Sequence, residues 1–379
     1  MKIVCFTEIE KDKEYGLFLA TCNRLLAMQE TGIEIDLYSL RKYHSGLWAM
    51  LRRLLRLEVK RKEVGGGFTY KGLQCSYIPY KETILGYILE KSGYPKYTLK
   101  GAEKVIKQID CEYIIAHWGL EPAYLSMMLA SKKEKPFVVY YHGSDVNATP
   151  QCWKKPLKKV LQKAGCNIFV SEALLKKAQS HYSKINNAII SHNGWTNNKD
   201  ANMPSVRKKN VILYAGALER IKGADLLPDI IKAISKKNSN AEFIIAGTGS
   251  LYDQIKADLS DTNINFQMIG RIEHRSLISL MKEISVLIAP SRSEGMSLVL
   301  LEGVATNTPV VITKLDSTSC ILDEQNLVTD MMTTSRCEYI EEFSKKVILL
   351  MENTEARYTF RVKSWDEIAN FELERLSQL

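Results

Sequence analysis

The sequence predicts two doubly wound α/β domains in tandem. Three observations carry that prediction. Short apolar runs alternate with helix-length amphipathic segments, a pattern that implies parallel strands joined by helical crossovers. The alternation stops near residue 195, in the polar, proline-containing stretch WTNNKDANMPSVRKKN, and then resumes. The 379 residues are too many for one ordinary domain and enough for two.

In the first half KIVCF reads as a strand, followed by a helix near 16–30. IEIDLYSL is the next strand, before a basic stretch at 41–62 and a turn at Gly65–Gly67. CSYIPY, YIIAHW, PFVVYYHG, NIFVS and NAIISHNG read as further strands. PAYLSMMLASKK, residues near 151–163 and EALLKKAQSHY read as helices. The first domain is expected over 1–195. In the second half NVILYAGAL, AEFIIAG, INFQMIG, SVLIAPS and PVVIT read as strands. Helices are expected from about Ala224 to Lys236, near 250–259, at LISLMKEI and from about Ser297. This domain is expected over 208–360, and 361–379 reads as closing helix. Ligands of open α/β sheets bind at the carboxyl ends of the strands, so the expected site is a cleft between two such ends.

Lys plus Arg is 52 and Asp plus Glu is 43, a net charge of +9 that favours acidic partners such as nucleotides, anionic lipid or nucleic acid. No apolar run of about 18 residues occurs, which excludes a transmembrane helix. The start, MKIVCFTEIEKDKEY, lacks the apolar core of a signal peptide, so a cytoplasmic location is expected. The 8 cysteines are scattered without a C-x-x-C pair, which excludes a zinc framework and a disulfide scaffold.

The most informative segment begins at Ile288, IAPSRSEGMSLVLLEGVATNTPVVIT. A strand runs into the loop PSRSEGM, and a helix starts with Ser297 as N-cap. Backbone N–H groups at Met296, Ser297 and Leu298 would face an anion such as a diphosphate. Glu294 in the loop and Glu302 in the helix form an E-x₇-E pair of acceptors for the hydroxyls of a sugar or ribose. By spacing alone, two solvated glutamates read the same way. In LYAGALERIKGADLL, a small-residue turn at Ala215–Ala217, with Gly216, precedes Arg220 and Lys222, two cations suited to a phosphate. A solvated basic loop is the other reading. Gly247 and Gly249 form a G-x-G turn after a strand, for close backbone approach to a nucleotide or for tight chain reversal. His142 in YYHGSDV and His117 in IIAHWGLEP stand at equivalent strand ends, without zinc spacing. No D-x-D occurs to hold a metal–diphosphate. Residues 41–62 read as an amphipathic basic helix, either lying on an anionic membrane or packing Leu on the core.

These residues together resemble the retaining glycosyltransferases of the GT-B fold, in particular the large family-four group that builds bacterial polysaccharides and lipopolysaccharides. HGSDV, FVSEALLKKA, HNGW, YAGALERIKGADLL, FIIAGTGSL and the long segment ending TNTPVV follow in the family's order, and SWDEIANFELERL is similar to its closing helix. The resemblance implies two Rossmann-like domains facing a cleft, with the closing helix crossing back to the first. It implies a nucleotide-sugar donor, UDP-linked in most relatives, on the second domain. Glu302 would then hold ribose, Glu294 and His142 would contact the donor sugar, and Arg220 and Lys222 would neutralise the diphosphate. Residues around Gly16 would line the acceptor side. It implies no metal and no resident cofactor, a lipid-linked or saccharide acceptor, no nucleic acid, and work at the inner face of the plasma membrane. The chain departs from the family at Ala217, where arginine is usual, and at Gly303, Asn307 and Thr196. A catalytically silent partner subunit and a sugar-nucleotide epimerase are the alternatives on the same fold.

Overall fold

The computed structural model describes residues 1–11, 16–62, 66–106, 109–196, 207–352, 356 and 358–379. The chain divides into two compact units, one made of Met1–Asn193 with Trp365–Leu379, the other of Gly194–Ser364. Gly65 of the expected turn, and Pro204 with the rest of 197–206 in the expected linker, lie outside the described residues.

The first unit holds an eight-stranded sheet. Its strands are β1 (Lys2–Thr7), β2 (Glu34–His44), β3 (Gly67–Tyr70), β4 (Leu73–Glu82), β5 (Tyr113–His117), β6 (Phe137–Tyr141), β7 (Cys166–Phe169) and β8 (Ala188–Ile190). The spatial order is β3-β4-β2-β1-β5-β6-β7-β8, parallel throughout except for the β3–β4 hairpin. Strands covered by helices on both faces must be apolar on both faces. Ile3–Phe6, Ile114–Ala116 and Val138–Tyr141 meet that demand and are buried.

The basic stretch is not the single helix its composition suggested. Arg41–His44 extend β2, a helix covers only Gly46–Leu54, and Leu55–Lys62 lie outside any helix or strand. The reason lies far away in sequence. Lys42 Nζ lies 3.2 Å from Glu90, 3.4 Å from Glu121 and 3.5 Å from Glu82, so a cation that looks solvated is enclosed by carboxylates of three other segments. Glu82 also accepts from Trp48 Nε1 at 2.9 Å and Arg52 at 3.3 Å, which ties the short helix to the end of β4.

The second unit has six strands, β9 (Val211–Ala215), β10 (Glu242–Ala246), β11 (Asn265–Gly270), β12 (Val286–Ala289), β13 (Val310–Thr313) and β14 (Leu327–Val328). They pair in parallel in the order β11-β10-β9-β12-β13-β14. Ile230, Ile231 and Ile234 of helix Leu227–Lys237 and Tyr339, Phe343 and Val347 of helix Arg336–Glu352 share a core with Ile212 and Phe243. Because β9, β10 and β12 run the same way, the loops that follow them leave one edge of the sheet. That edge carries the site.

The chain returns to the first unit through helix Trp365–Leu376. Its Glu372 is buried and accepts from Arg24 Nε at 3.0 Å, Tyr140 Oη at 3.0 Å and Ser191 Oγ at 2.5 Å. A buried carboxylate is tolerated only with such a set of donors.

Candidate active site

The loops after β9 and β10 are zipped together by backbone hydrogen bonds. Gly216 N–H donates to Ala246 O at 3.0 Å, Leu218 to Thr248 O at 2.9 Å and Leu251 to Leu218 O at 3.0 Å. Two loops this close leave no room for side chains. A Cβ on Gly247, which has φ +142°, would lie 1.9 Å from the Gly216 carbonyl oxygen, and one on Gly249 would lie 2.5 Å from that of Leu218. The close approach of the two loops requires glycine at both positions.

Arg220–Lys222 form a single 3₁₀ turn that presses against the loop after β12. Arg292 fastens the two. Its N–H donates to Ile221 O at 2.9 Å, and its guanidinium makes a bidentate pair with Asp225 at 2.6 and 2.8 Å and reaches Arg220 O at 2.5 Å. This staple places Lys222 Nζ 2.8 Å from both carboxylate oxygens of Glu294. The Glu294 side chain is only 7% exposed while that of Lys222 is 35% exposed, so the carboxylate lies beneath an ammonium that solvent or an anion can reach. Ser317 Oγ donates to Glu294 O at 3.0 Å and holds the backbone from the other side. Arg220, in contrast, is exposed, and the turn uses its carbonyl. The two cations expected to act together are therefore in different surroundings.

Ser297 caps helix Leu298–Ala305 and accepts from Leu300 N–H at 3.4 Å. Met296 is buried in the loop just before it. Glu302 lies one turn further in, buried, with Oε1 2.7 Å from His274 Nε2. His274 opens helix His274–Glu283 and was not singled out by sequence. The only hint is its position shortly after the glycine that ends β11. Asp225, Arg292 and Ser317 were missed for the same reason: each acts through a partner more than 20 residues away.

In the first unit, His142 follows β6 directly and is half-buried. Its Nε2 lies 3.0 Å from Nδ1 of His117, the last residue of β5. Asp145 binds the loop by accepting from the N–H groups of Gly119 at 3.0 Å, His142 at 3.2 Å and Gly143 at 2.9 Å. Burial, and then the Arg24 charge, push the His142 imidazole down to about 3. Burial, His142 and Arg24 hold His117 well below the ordinary range too. Gly16 caps helix Leu17–Glu30 with φ +50°; the four residues before it, 12–15, lie outside the described residues.

Residues 196–364, which contain the whole Lys222–Glu294–Glu302 arrangement, match the family described as glycosyl transferases group 1. The chain is a glycosyltransferase, and its second unit is the part that matches this family. It is 26% identical over 301 residues to an uncharacterized glycosyltransferase of Methanocaldococcus jannaschii, spanning 76% of this chain and 78% of that one. A Bacillus subtilis glycosyltransferase named for teichuronic acid biosynthesis is 24% identical over 322 residues, 81% of this chain and 78% of that one. The pneumococcal O-GlcNAc transferase solved with UDP and GlcNAc covers 100% of this chain and 99% of its own, with a TM-score of 0.67 at 13% identity. That likeness shows the fold of this glycosyltransferase, which is GT-B.

Proposed function

We propose that this glycosyltransferase moves a sugar, with retention at the anomeric carbon, from a UDP-sugar to a lipid-linked or saccharide acceptor in bacterial cell-surface polysaccharide synthesis. One observation carries the reading: Lys222 stands over the buried Glu294 at 2.8 Å, with Glu302 eight residues further along a capped helix. An ammonium has three donors, so Lys222 can hold Glu294 and still meet a phosphate oxygen. The bond from the anomeric carbon to the UDP oxygen breaks, and a bond to the acceptor hydroxyl oxygen forms on the same face. The hydroxyl proton passes to the departing phosphate. Charge accumulates on the diphosphate in the transition state, where Lys222 and the N–H groups of Met296, Ser297 and Leu298 stabilise it. Glu302 holds the ribose hydroxyls and Glu294 the sugar. Arg220, Gly216, Gly247 and Gly249 belong to the donor side, His142 to the donor sugar and Gly16 to the acceptor. The teichuronic acid relative and the UDP-bound neighbour support this choice of pathway and base. Catalytic cations come from side chains in this scheme, so no resident metal takes part.

The test is Glu302→Ala, assayed with UDP-sugars and undecaprenyl-linked acceptors. Transfer is expected to disappear while the protein stays folded and the parent forms an α-linked product from an α-linked donor. Undiminished turnover would sink the assignment, and interconversion of the donor without acceptor would favour the epimerase. Donor turnover by the parent alone eliminates a silent subunit, and EDTA is expected to leave the rate unchanged.

The membrane part of the proposal rests on exposure. Leu47, Met50, Leu54 and Leu55 are exposed on and just after helix Gly46–Leu54, as are Leu85 and Ile88 on helix Ile84–Lys91. Trp48 packs on Tyr87 with ring centroids 5.0 Å apart, so the helices are neighbours. Arg53, Arg56, Lys60, Arg61, Lys62 and Lys91 are exposed around these apolar groups. Such a face suits the headgroup region of an anionic bilayer. Cosedimentation with phosphatidylglycerol vesicles, weaker with pure phosphatidylcholine and lost in Leu54→Asp, is the expected outcome. Equal recovery with both lipids would refute it.

A further inference from the structure

The first unit contains a chain of buried polar groups for which the transfer reaction as described has no use. Glu372 holds Arg24 and Tyr140, and His117 stacks on the Tyr140 ring with centroids 4.4 Å apart and an interplanar angle of 5°. The Arg24 guanidinium lies 5.0 Å from the same ring centroid. His117 then meets His142 edge to edge through Nδ1 and Nε2. His117 is fully buried, and its other nitrogen, Nε2, has no partner among the described residues.

That contact admits only one proton between the two rings when both imidazoles are uncharged. Either His117 Nδ1–H donates to His142 Nε2, or His142 Nε2–H donates to His117 Nδ1. The second arrangement moves the His117 proton to Nε2, where it would be a buried N–H with nothing to receive it. Orphaned buried donors are rare and costly, and an orphaned acceptor is the milder fault.

We propose that His117 is a positioning residue that locks His142 in the tautomer protonated on Nδ1, so that His142 offers a fixed hydrogen-bond donor to a sugar oxygen. His142 in this arrangement is neither a general base through Nε2, which is occupied by the His117 N–H, nor an adaptable partner that accepts from a hydroxyl through Nδ1. A donor-only histidine selects a substrate that presents an oxygen acceptor, a carbonyl, ring or hydroxyl oxygen, at that point. The choice of an oxygen on the transferred sugar rests on the transferase reading above; the tautomer does not.

The tautomer is read directly by long-range ¹H–¹⁵N correlation on ¹⁵N-histidine-labelled full-length protein without substrate at neutral pH. Expected is a protonated Nδ1 and a bare Nε2 on His142, with His117 in the same state. A protonated Nε2 on His142 overturns the proposal before any assay. His117→Asn and His117→Asp then separate positioning from packing. An Asn amide can still donate to His142 Nε2, whereas an Asp carboxylate only accepts and forces the proton to Nε2. His117→Asn is expected to keep the His142 tautomer and to hold kcat/KM for the donor sugar within about threefold. His117→Asp is expected to invert the tautomer and lower kcat/KM by about tenfold or more, the scale of one lost hydrogen bond, with UDP affinity unchanged. An inverted tautomer with undiminished transfer overturns the role in catalysis. Absent UDP binding and absent transfer in the parent point instead to failure of the transferase reading, and leave the tautomer result standing. Should His117→Asp fail to fold, the spectrum of the parent and the His117→Asn kinetics still decide.

Discussion

Lys222 and Arg220 are two residues apart, yet the fold gives them different work. The Lys222 ammonium is held over a buried carboxylate, whereas Arg220 is exposed and the turn uses its backbone. A cation placed in advance stabilises developing charge without reorganising, and one free to swing must first be ordered. Lys222→Met is therefore expected to cut kcat by roughly 10²–10³, the usual scale for one preorganised donor. Arg220→Met is expected to cost less, within about tenfold. Steady-state rates with saturating donor compare the two, and equal losses would show that the exposed side chain is recruited on binding. A second prediction concerns His142. Its pKa lies at about 3 in the fold against 6.5 unperturbed, so the unfolded chain binds more protons between those values. Stability from this group is complete above 6.5 and is lost as pH falls toward 3. Glu8, pushed up to about 8 by burial and Glu121, works the other way, losing stability as pH rises. The parent's profile alone is thus ambiguous, and the difference between parent and His142→Asn is the proper measurement. The groups facing His142 are His117, Asp145 and Arg24, all retained in that variant. Urea midpoints from pH 7.5 to 4.5 should converge on acidification, with the parent losing its advantage. A constant gap would contradict the shift.

At the scale of elements, the strands of the second unit and the Ser297 cap were readable because each signal is local. A fully apolar run of four or five residues makes a buried parallel strand, and a serine before an apolar helix makes a cap. Whatever depends on distant partners was not readable. The extension of β2 to His44 needs Glu82, Glu90 and Glu121 around Lys42, and Glu302 needs His274 from another helix. The G-x-G turn shows a mixed case: its glycines were found by pattern, while their cause is the crossing of two loops. Gly247→Ala tests that cause. Its φ of +142° is strained for any L side chain, and the new Cβ meets backbone that cannot swing away. The substitution is expected to cost about 3 kcal/mol or more and to lower the melting temperature of the second unit. Gly270→Ala, with φ +64° and nothing within 4 Å of the added carbon, should cost only about 1 kcal/mol. Calorimetry on both variants separates a steric clash from backbone strain alone.

Across the whole chain, the path leaves the first unit after Asn193 and re-enters it at Trp365, so the last fifteen residues stabilise a unit whose other strands were made far earlier. The fastening is ionic and buried. Arg24 and Glu372 are both fully inaccessible, and Arg24 also donates to His192 O at 3.0 Å while its guanidinium lies 5.4 Å from the Trp365 ring. Two buried charges cost desolvation that their attraction does not always repay, but leaving one of them alone is worse. Glu372→Met should therefore destabilise the first unit by about 3–5 kcal/mol, because Arg24 remains as an unpaired buried cation. Arg24→Met should do the same through the stranded carboxylate. The double variant, with two apolar side chains of suitable length, should recover much of the loss, since neither charge is then buried. Chemical denaturation of the parent, both single variants and the double variant closes this cycle. If the double variant is as unstable as the sum of the singles, the helix Trp365–Leu376 is held by its apolar contacts and the charges are incidental. If it recovers, the pair specifies where the returning helix docks more than how tightly. On the donor site proposed above, UDP binding then serves as the internal control, because Lys222, Glu294 and Glu302 all lie in the other unit and affinity should be kept in every variant.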